Sequence, residues 1–339
     1  MKKLILTLTA CCAVATTLHA QSLTVTAPGY SASSLFQTAT GFSLGGIDVD
    51  SAGNLYYLEM GPNTAASTKL FMRAALGGNS YGAPVQLFDL SGTQKFGSFV
   101  RVHSGQIYFG ENSTGQIWHA ALNGGLPIEA IAYSSSYKGN YDLGFSGSEA
   151  YLVADPASAA THVYKFDLAT GAVTSKINAA GEFAGPLAFD SAGNLFYGAS
   201  GTDSAFGHGA ANITKFSASS LLGPEQSLAA GTLAINNDYN GYLAFGGGTS
   251  LFQDSSPFGS PSTVMLYDTN SQAATTVGSG GAGDFLGNLA YSEGTLFVTV
   301  TSGFGSTQKS GVYAVVPEPA SLALLGLGVS CLMVRRRRP

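Results

Sequence analysis

Three carboxylates recur at one place in a repeated pattern. Glu59 ends "GIDVDSAGNLYYLE", Glu111 ends "SFVRVHSGQIYFGE" and Asp155 ends "DLGFSGSEAYLVAD". Carboxylate oxygens gathered at about 2.3–2.6 Å would suit a divalent ion such as calcium. The same place in three further copies holds Ala199, Ser255 and Val300 or its neighbour. If each carboxylate ends the second strand of a small sheet, equivalent atoms in adjacent sheets lie on the order of 10 Å apart, given ~4.8 Å between strands. Such a set reaches one ion only where loops redirect it. Otherwise these groups are polar strand ends that face solvent or a turn. No cofactor is required by the pattern, and a divalent metal at these three residues is the one cofactor reading it offers.

Other residue types that do chemistry are scattered. His103, His119, His162 and His208 show no HExxH spacing and adjoin no nucleophile motif. Gly246-Gly247-Gly248 does not open a helix, so it is no phosphate loop. No catalytic constellation is legible. Two Gly/Ser/Pro-rich insertions, Thr202–Thr214 and Thr249–Thr263, read as surface loops. As the rim of a ligand site they would offer Phe206, His208 and Phe258 for stacking on sugar rings. Between residues 21 and 315 there are nine Lys or Arg and nineteen Asp or Glu. That acidic balance, with no basic stripe, argues against nucleic acid.

The elements that must position these groups are strands. "GIDVDSAGNLYYLE" returns as "PLAFDSAGNLFYGA" at Pro186, and weaker copies are "YLAFGGGTSLFQDS" and "NLAYSEGTLFVTV". Taking Leu55, Ile107, Tyr151, Leu195, Leu251 and Leu296 as equivalent, the spacings are 52, 44, 44, 56 and 45 residues. That period belongs to β-propeller blades. Each copy reads as a hairpin. Asp50 or Asp190 bonds the backbone amides ahead of it and Gly53 or Gly193 takes a positive φ. Leu187-Ala188-Phe189 and Leu243-Ala244-Phe245 alternate large and small, as a strand crowded near an axis should. Third strands follow, such as "KLFMRAAL" and "GQIWHAAL", then short fourth strands such as "PVQLFDL". The sixth copy ends at "GVYAVV" without a fourth strand, whereas "SLTVT" and "SSLFQT" precede the first. The pattern predicts an all-β, six-bladed β-propeller closed by an N-terminal strand, with a seven-bladed propeller or another repeat all-β fold as the alternative. The Asp-x-x-Gly-Asn-Leu-Tyr turns resemble those of NHL and gluconolactonase-like propellers. The second of these implies a metal-dependent lactonase or lyase with Glu, Asn and Asp ligands.

Both ends read as signals. Lys2 and Lys3 precede an apolar stretch, and Ala20 offers a small residue for cleavage before Gln21, so residues 1–20 read as a secretory signal peptide. Leu8-Thr9-Ala10-Cys11 is a competing lipoprotein box with a short apolar run before it. All three cysteines, at 11, 12 and 331, lie outside residues 21–315, so no disulfide staples the body. At the other end Pro317-Glu318-Pro319 precedes an uncharged run, Ala320 to Val334, and then Arg335, Arg336, Arg337 and Arg338. As a C-terminal apolar helix, fifteen residues would rise about 22 Å against a hydrocarbon core of roughly 30 Å. A plain membrane anchor is the competing reading. In order, the three parts closely resemble the PEP-CTERM sorting signal of Gram-negative bacteria. That resemblance implies processing by exosortase, transient contact with the inner membrane, export to the cell surface or beyond, and association with exopolysaccharide. The division expected is signal peptide 1–20, propeller 21–315 and sorting signal 316–339. The expected role is a non-enzymatic surface or matrix module for a polysaccharide or protein ligand.

Overall fold

The computed structural model of the chain describes residues 21–61, 68–90, 97–131, 134–156, 160–198, 212–235, 240–255 and 261–318. Apart from a short two-stranded ribbon at Ala75–Gly77 and Ser80–Tyr81, its strands form six sheets of four or five strands, each built outward from an inner strand mainly by antiparallel hairpins. The inner strands are Ser43–Val49, Gly97–His103, Asn140–Ser146, Leu187–Phe189, Leu243–Phe245 and Asp284–Ser292. Each packs beside the next, and the sixth beside the first, so the sheets are the blades of a closed six-bladed propeller. The seven-bladed alternative falls away.

The ring closes in blade six. Strand Tyr30–Gln37 pairs antiparallel with the last strand, Lys309–Pro317, and becomes its missing outer neighbour. Of the two candidate segments, "SSLFQT" therefore makes the closure. "SLTVT" contributes Leu23–Val25 to the outer edge of blade five instead. Closure covers a sheet edge that would otherwise offer unpaired amides and carbonyls.

The hairpin turns follow the expected chemistry. Asp50 Oδ1 accepts from the amides of Ala52 at 2.9 Å and Asn54 at 2.8 Å, and Gly53 has φ +82°. Asp190 repeats this with Ala192 at 3.0 Å and Asn194 at 2.9 Å. Each Asn side chain then ties the turn to its carboxylate and to the chain after the third strand, through Ala75 or Ala218.

Strand pairing corrects the repeat alignment in blade three. Equivalent pairs flank each hairpin: Val49 with Leu55, Val102 with Ile107, Phe145 with Ala150, Phe189 with Leu195, Phe245 with Leu251 and Tyr291 with Leu296. Ala150, not Tyr151, is the counterpart of Leu55. The next residue is then aromatic in all six blades: Tyr56, Tyr108, Tyr151, Phe196, Phe252 and Phe297. These rings are the joints between blades. Tyr108 packs on Phe145, Tyr151 on Phe189, Phe196 on Phe245 and Phe252 on Tyr291, with centroids 4.9–5.6 Å apart. In the two remaining joints Tyr56 shares an apolar cluster with Val102, and Phe297 with Val49. The core is correspondingly six apolar clusters, one at each blade joint.

Candidate functional site

The inner strands surround a central channel with three levels. At the level where these strands begin, Tyr141 of blade three donates to the carbonyl of Gly241 before blade five at 2.6 Å. Its ring stacks on Tyr242 at 5.4 Å, so two tyrosines bridge the channel there.

Below them sit three charged side chains from adjacent blades. Arg101 of blade two places Nη2 2.5 Å from Asp142 Oδ1 of blade three. Nε and Nη1 bond backbone: Nε donates to Leu143 O at 3.0 Å, and Nη1 to Val100 O at 3.0 Å and Ile47 O at 3.3 Å. Asp142 Oδ2 accepts the Leu187 amide of blade four at 3.1 Å. Asp48 of blade one in turn accepts the Val102 amide of blade two at 2.6 Å. Each aspartate thus fastens its own blade to a neighbour. Burial raises both carboxyls above the usual range, opposed by the Arg101 charge and by the amides they accept. These charges are consumed inside the fold, as buried charges must be.

The third level is a mouth of about 250 Å³ at the hairpin end of the inner strands, rimmed by His103, Phe145, Phe189, Phe245 and Tyr291. All five are half-buried. His103 lies flat on Phe145, with centroids 4.2 Å apart and planes 5° apart, and burial lowers its pKa against a backbone hydrogen bond with Gly147. The result is an aromatic-rimmed cup over a floor in which Arg101 pairs with Asp142 and Asp48 accepts backbone amides. Its volume suits a ligand of one or two rings.

The residues singled out in the sequence take other places. Glu111 is fully buried, and its carboxylate accepts from the amides and hydroxyl of the turn Ser113-Thr114. Glu59 is partly exposed; burial raises its pKa, against Lys69 and Arg73. In the corrected alignment Ala154 is the counterpart of Glu59 and Glu111, and Asp155 lies one residue beyond the strand. Among the described residues, no three His, Cys, Asp or Glu side chains gather within reach of one ion. His119 stacks on Tyr108 at 5.7 Å, and His162 Nδ1 meets Ser175 Oγ at 3.0 Å. Phe206, His208 and Phe258 lie outside the described residues, as do Pro319 and Arg335–Arg338.

The cup and the charged level went unread in the sequence, although a signal was present. Asp48, Arg101 and Asp142 are charges within inner strands of a chain only 10% charged. An aromatic ends the inner-strand motif in four copies.

The sorting segment is continuous with the propeller. Val316 and Pro317 belong to the last strand, paired with Ser31 and Tyr30, and the Glu318 amide donates to Gly29 O at 2.7 Å. The expected boundary at residue 315 thus falls inside a strand. The expected apolar helix after it lies outside the described residues, and among those described no helix is long and apolar enough to cross a membrane.

Comparison with known proteins adds two findings. The fold is similar to a chain of a nidogen/laminin complex (TM-score 0.53, 11% identity, covering 70% of this chain and 80% of that one). It is also similar to a putative TolB from Agrobacterium tumefaciens (TM-score 0.50, 12% identity, covering 86% and 99%). At such identity the likeness concerns the fold alone. We find no curated protein that matches the sequence. Residues 315–338 match the PEP-CTERM protein-sorting motif, which marks a chain for export across the membrane and sorting to the cell surface and implies processing by an exosortase. The chain is therefore a six-bladed β-propeller that carries a PEP-CTERM protein-sorting motif directly on its closing blade.

Proposed function

We propose that this protein is a non-enzymatic binding module of the cell surface or extracellular matrix of a Gram-negative bacterium. Its leader is removed before Gln21, and its C-terminal apolar segment holds it transiently at the inner membrane until exosortase acts. Its ligand is a saccharide unit of exopolysaccharide, taken into the aromatic mouth of the channel. The observation that carries this reading is the rim of His103, Phe145, Phe189, Phe245 and Tyr291 around a small cup whose floor groups are bonded within the fold. Aromatic faces suit the apolar faces of neutral sugar rings. A hydrolase or lyase would instead need an unspent acid, base or metal at that floor.

Calorimetric titration of the purified protein with neutral oligosaccharides tests this. Phe189→Leu and Phe245→Leu should each weaken binding roughly two- to tenfold, the worth of one ring contact. Binding that is unchanged in both variants would move the site elsewhere. A protein that takes no saccharide at millimolar concentration would end the reading.

A further inference from the structure

At the start of the inner strand of blade six, Asp284 is 3% exposed, in a pocket formed with the beginning of the described chain. Its Oδ2 accepts the Ser22 amide at 3.0 Å. Its Oδ1 is buried with no partner at all. A buried carboxylate oxygen without a donor is costly, of the order that removes it or finds it a partner.

Gln21 is fastened beside it. It is 6% exposed, and its Nε2 donates to Val300 O at 3.1 Å and to Lys309 O. Its own carbonyl accepts the Tyr313 hydroxyl at 2.8 Å, and the Ser22 carbonyl accepts the Gly281 amide at 3.1 Å. The fold therefore grips the chain from the first residue after Ala20, where the signal-peptide pattern places the cut. The α-nitrogen of Gln21 is three bonds from the Ser22 nitrogen, hence within about 4 Å of an atom already touching this carboxylate.

We propose that signal-peptide removal completes a buried ion pair between the new N-terminus and Asp284. Hydrolysis of the Ala20–Gln21 bond by water leaves a carboxylate on Ala20 and an amine on Gln21, which takes up a proton. That ammonium supplies the donor Asp284 Oδ1 lacks. In the precursor the same nitrogen is an amide with no charge. Leader removal thus stabilises blade six, whose closing strand carries the sorting motif. The inference rests on leader removal before Gln21, part of the proposed function, and goes beyond it.

The test starts with the intact mass of the exported protein. It should begin at Gln21, with that residue uncyclised. A different first residue would show that the cleavage reading has failed. A pyroglutamate, formed when the α-nitrogen attacks Cδ and ammonia leaves, has no ammonium and would overturn the pair alone. Melting temperatures of four proteins then follow: the mature chain, the mature chain with one extra glycine before Gln21, and each with Asp284→Asn, which keeps an acceptor for the Ser22 amide. Asp284→Asn should lower the midpoint of the mature chain by roughly 5–10 °C, the scale for breaking a buried pair. In the glycine-extended chain it should change the midpoint by less than about a third of that. Equal shifts in both backgrounds, or none in either, would overturn the pair while leaving the cleavage site intact.

Discussion

The channel's charged level can be put to a direct test at Asp142. Asp142→Ala removes the carboxylate from Arg101, whose side chain is only 12% exposed, and leaves the Leu187 amide of the next blade without its acceptor. Breaking a buried ion pair from one side costs about 3–5 kcal/mol, and an orphaned buried amide about 1–3 kcal/mol. The sum, about 4–8 kcal/mol, is a large part of a total that is usually about 5–15 kcal/mol. Asp142→Asn keeps an acceptor for Leu187 and removes only the charge, so it should cost less than Asp142→Ala by about the amide's share. Asp48 also faces Arg101 and softens the loss. Arg101→Met should be destabilising for the converse reason, as it leaves Asp142 buried and unpaired. Combined with Asp142→Asn, it should recover about 1–3 kcal/mol relative to the sum of the single changes. Urea unfolding followed by fluorescence of Trp118, the single tryptophan, reads each value. Additive single costs would mean that the two residues do not act together. An Asp142→Ala cost under about 1 kcal/mol would mean that the level does not fasten the blades.

Three further outcomes are expected. Deleting residues 21–38 should unfold or aggregate the protein, because it strips the seven-residue pairing from the last strand and uncovers Val312 and Val315. A monomer with an unchanged melting temperature by calorimetry would contradict ring closure in blade six. Asp268 is held at about 2 by the Thr249 hydroxyl and by the Ser271 and Asn270 amides. Its folded pKa lies below the unfolded value of about 3.9, so its contribution is present above pH ~4 and lost as pH falls towards 2. Carboxyl NMR of Thr249→Val should show that pKa rising; an unmoved value would mean that the hydroxyl is not its main cause. Asp50→Ala removes an acceptor used by Ala52, Asn54 and Tyr56, and should destabilise by about 1–3 kcal/mol. A loss below about 0.5 kcal/mol in urea unfolding would show the turn to be held by other contacts.

The fold was more legible than the site for a physical reason. A blade turn must place a carboxylate, a positive-φ glycine and an asparagine at fixed offsets, and "DSAGN" shows all three twice in the open. Closure was legible as a strand missing at one end and spare strands at the other. What failed was register in blade three, where "SGSEAY" lacks the Asn-Leu step and alternation alone cannot separate Ala150 from Tyr151. That slip of one residue also drew Asp155 into line with Glu59 and Glu111. The cup was not legible because its members come from five strands spread over nearly 190 residues. Aromatic residues there look like core until the ring is closed, and four of them are indeed half core, each packed on the preceding blade.

The two ends of the described residues meet in one blade, and this constrains how the sorting motif can be presented. Tyr30 pairs with Pro317 and Ser31 with Val316, so the strand that closes the ring is held by the residues with which the motif begins. These partners lie almost 290 residues apart in sequence, and contacts of such separation form late because the loop between them must first be closed. Until the last strand is available, blade six has neither its third strand nor the outer strand paired to it. Its apolar face towards blade five then lacks Tyr313 and Val315. The same pairing sets the geometry afterwards. Pro317 occupies the end of a strand whose neighbour is fixed, and the Glu318 amide is still bonded to Gly29 O. Substrate segments enter a protease most readily when extended and free of cross-strand bonds. In the closed propeller Val316, Pro317 and the Glu318 amide are all held by such bonds, so they meet that condition only if the end of blade six frays.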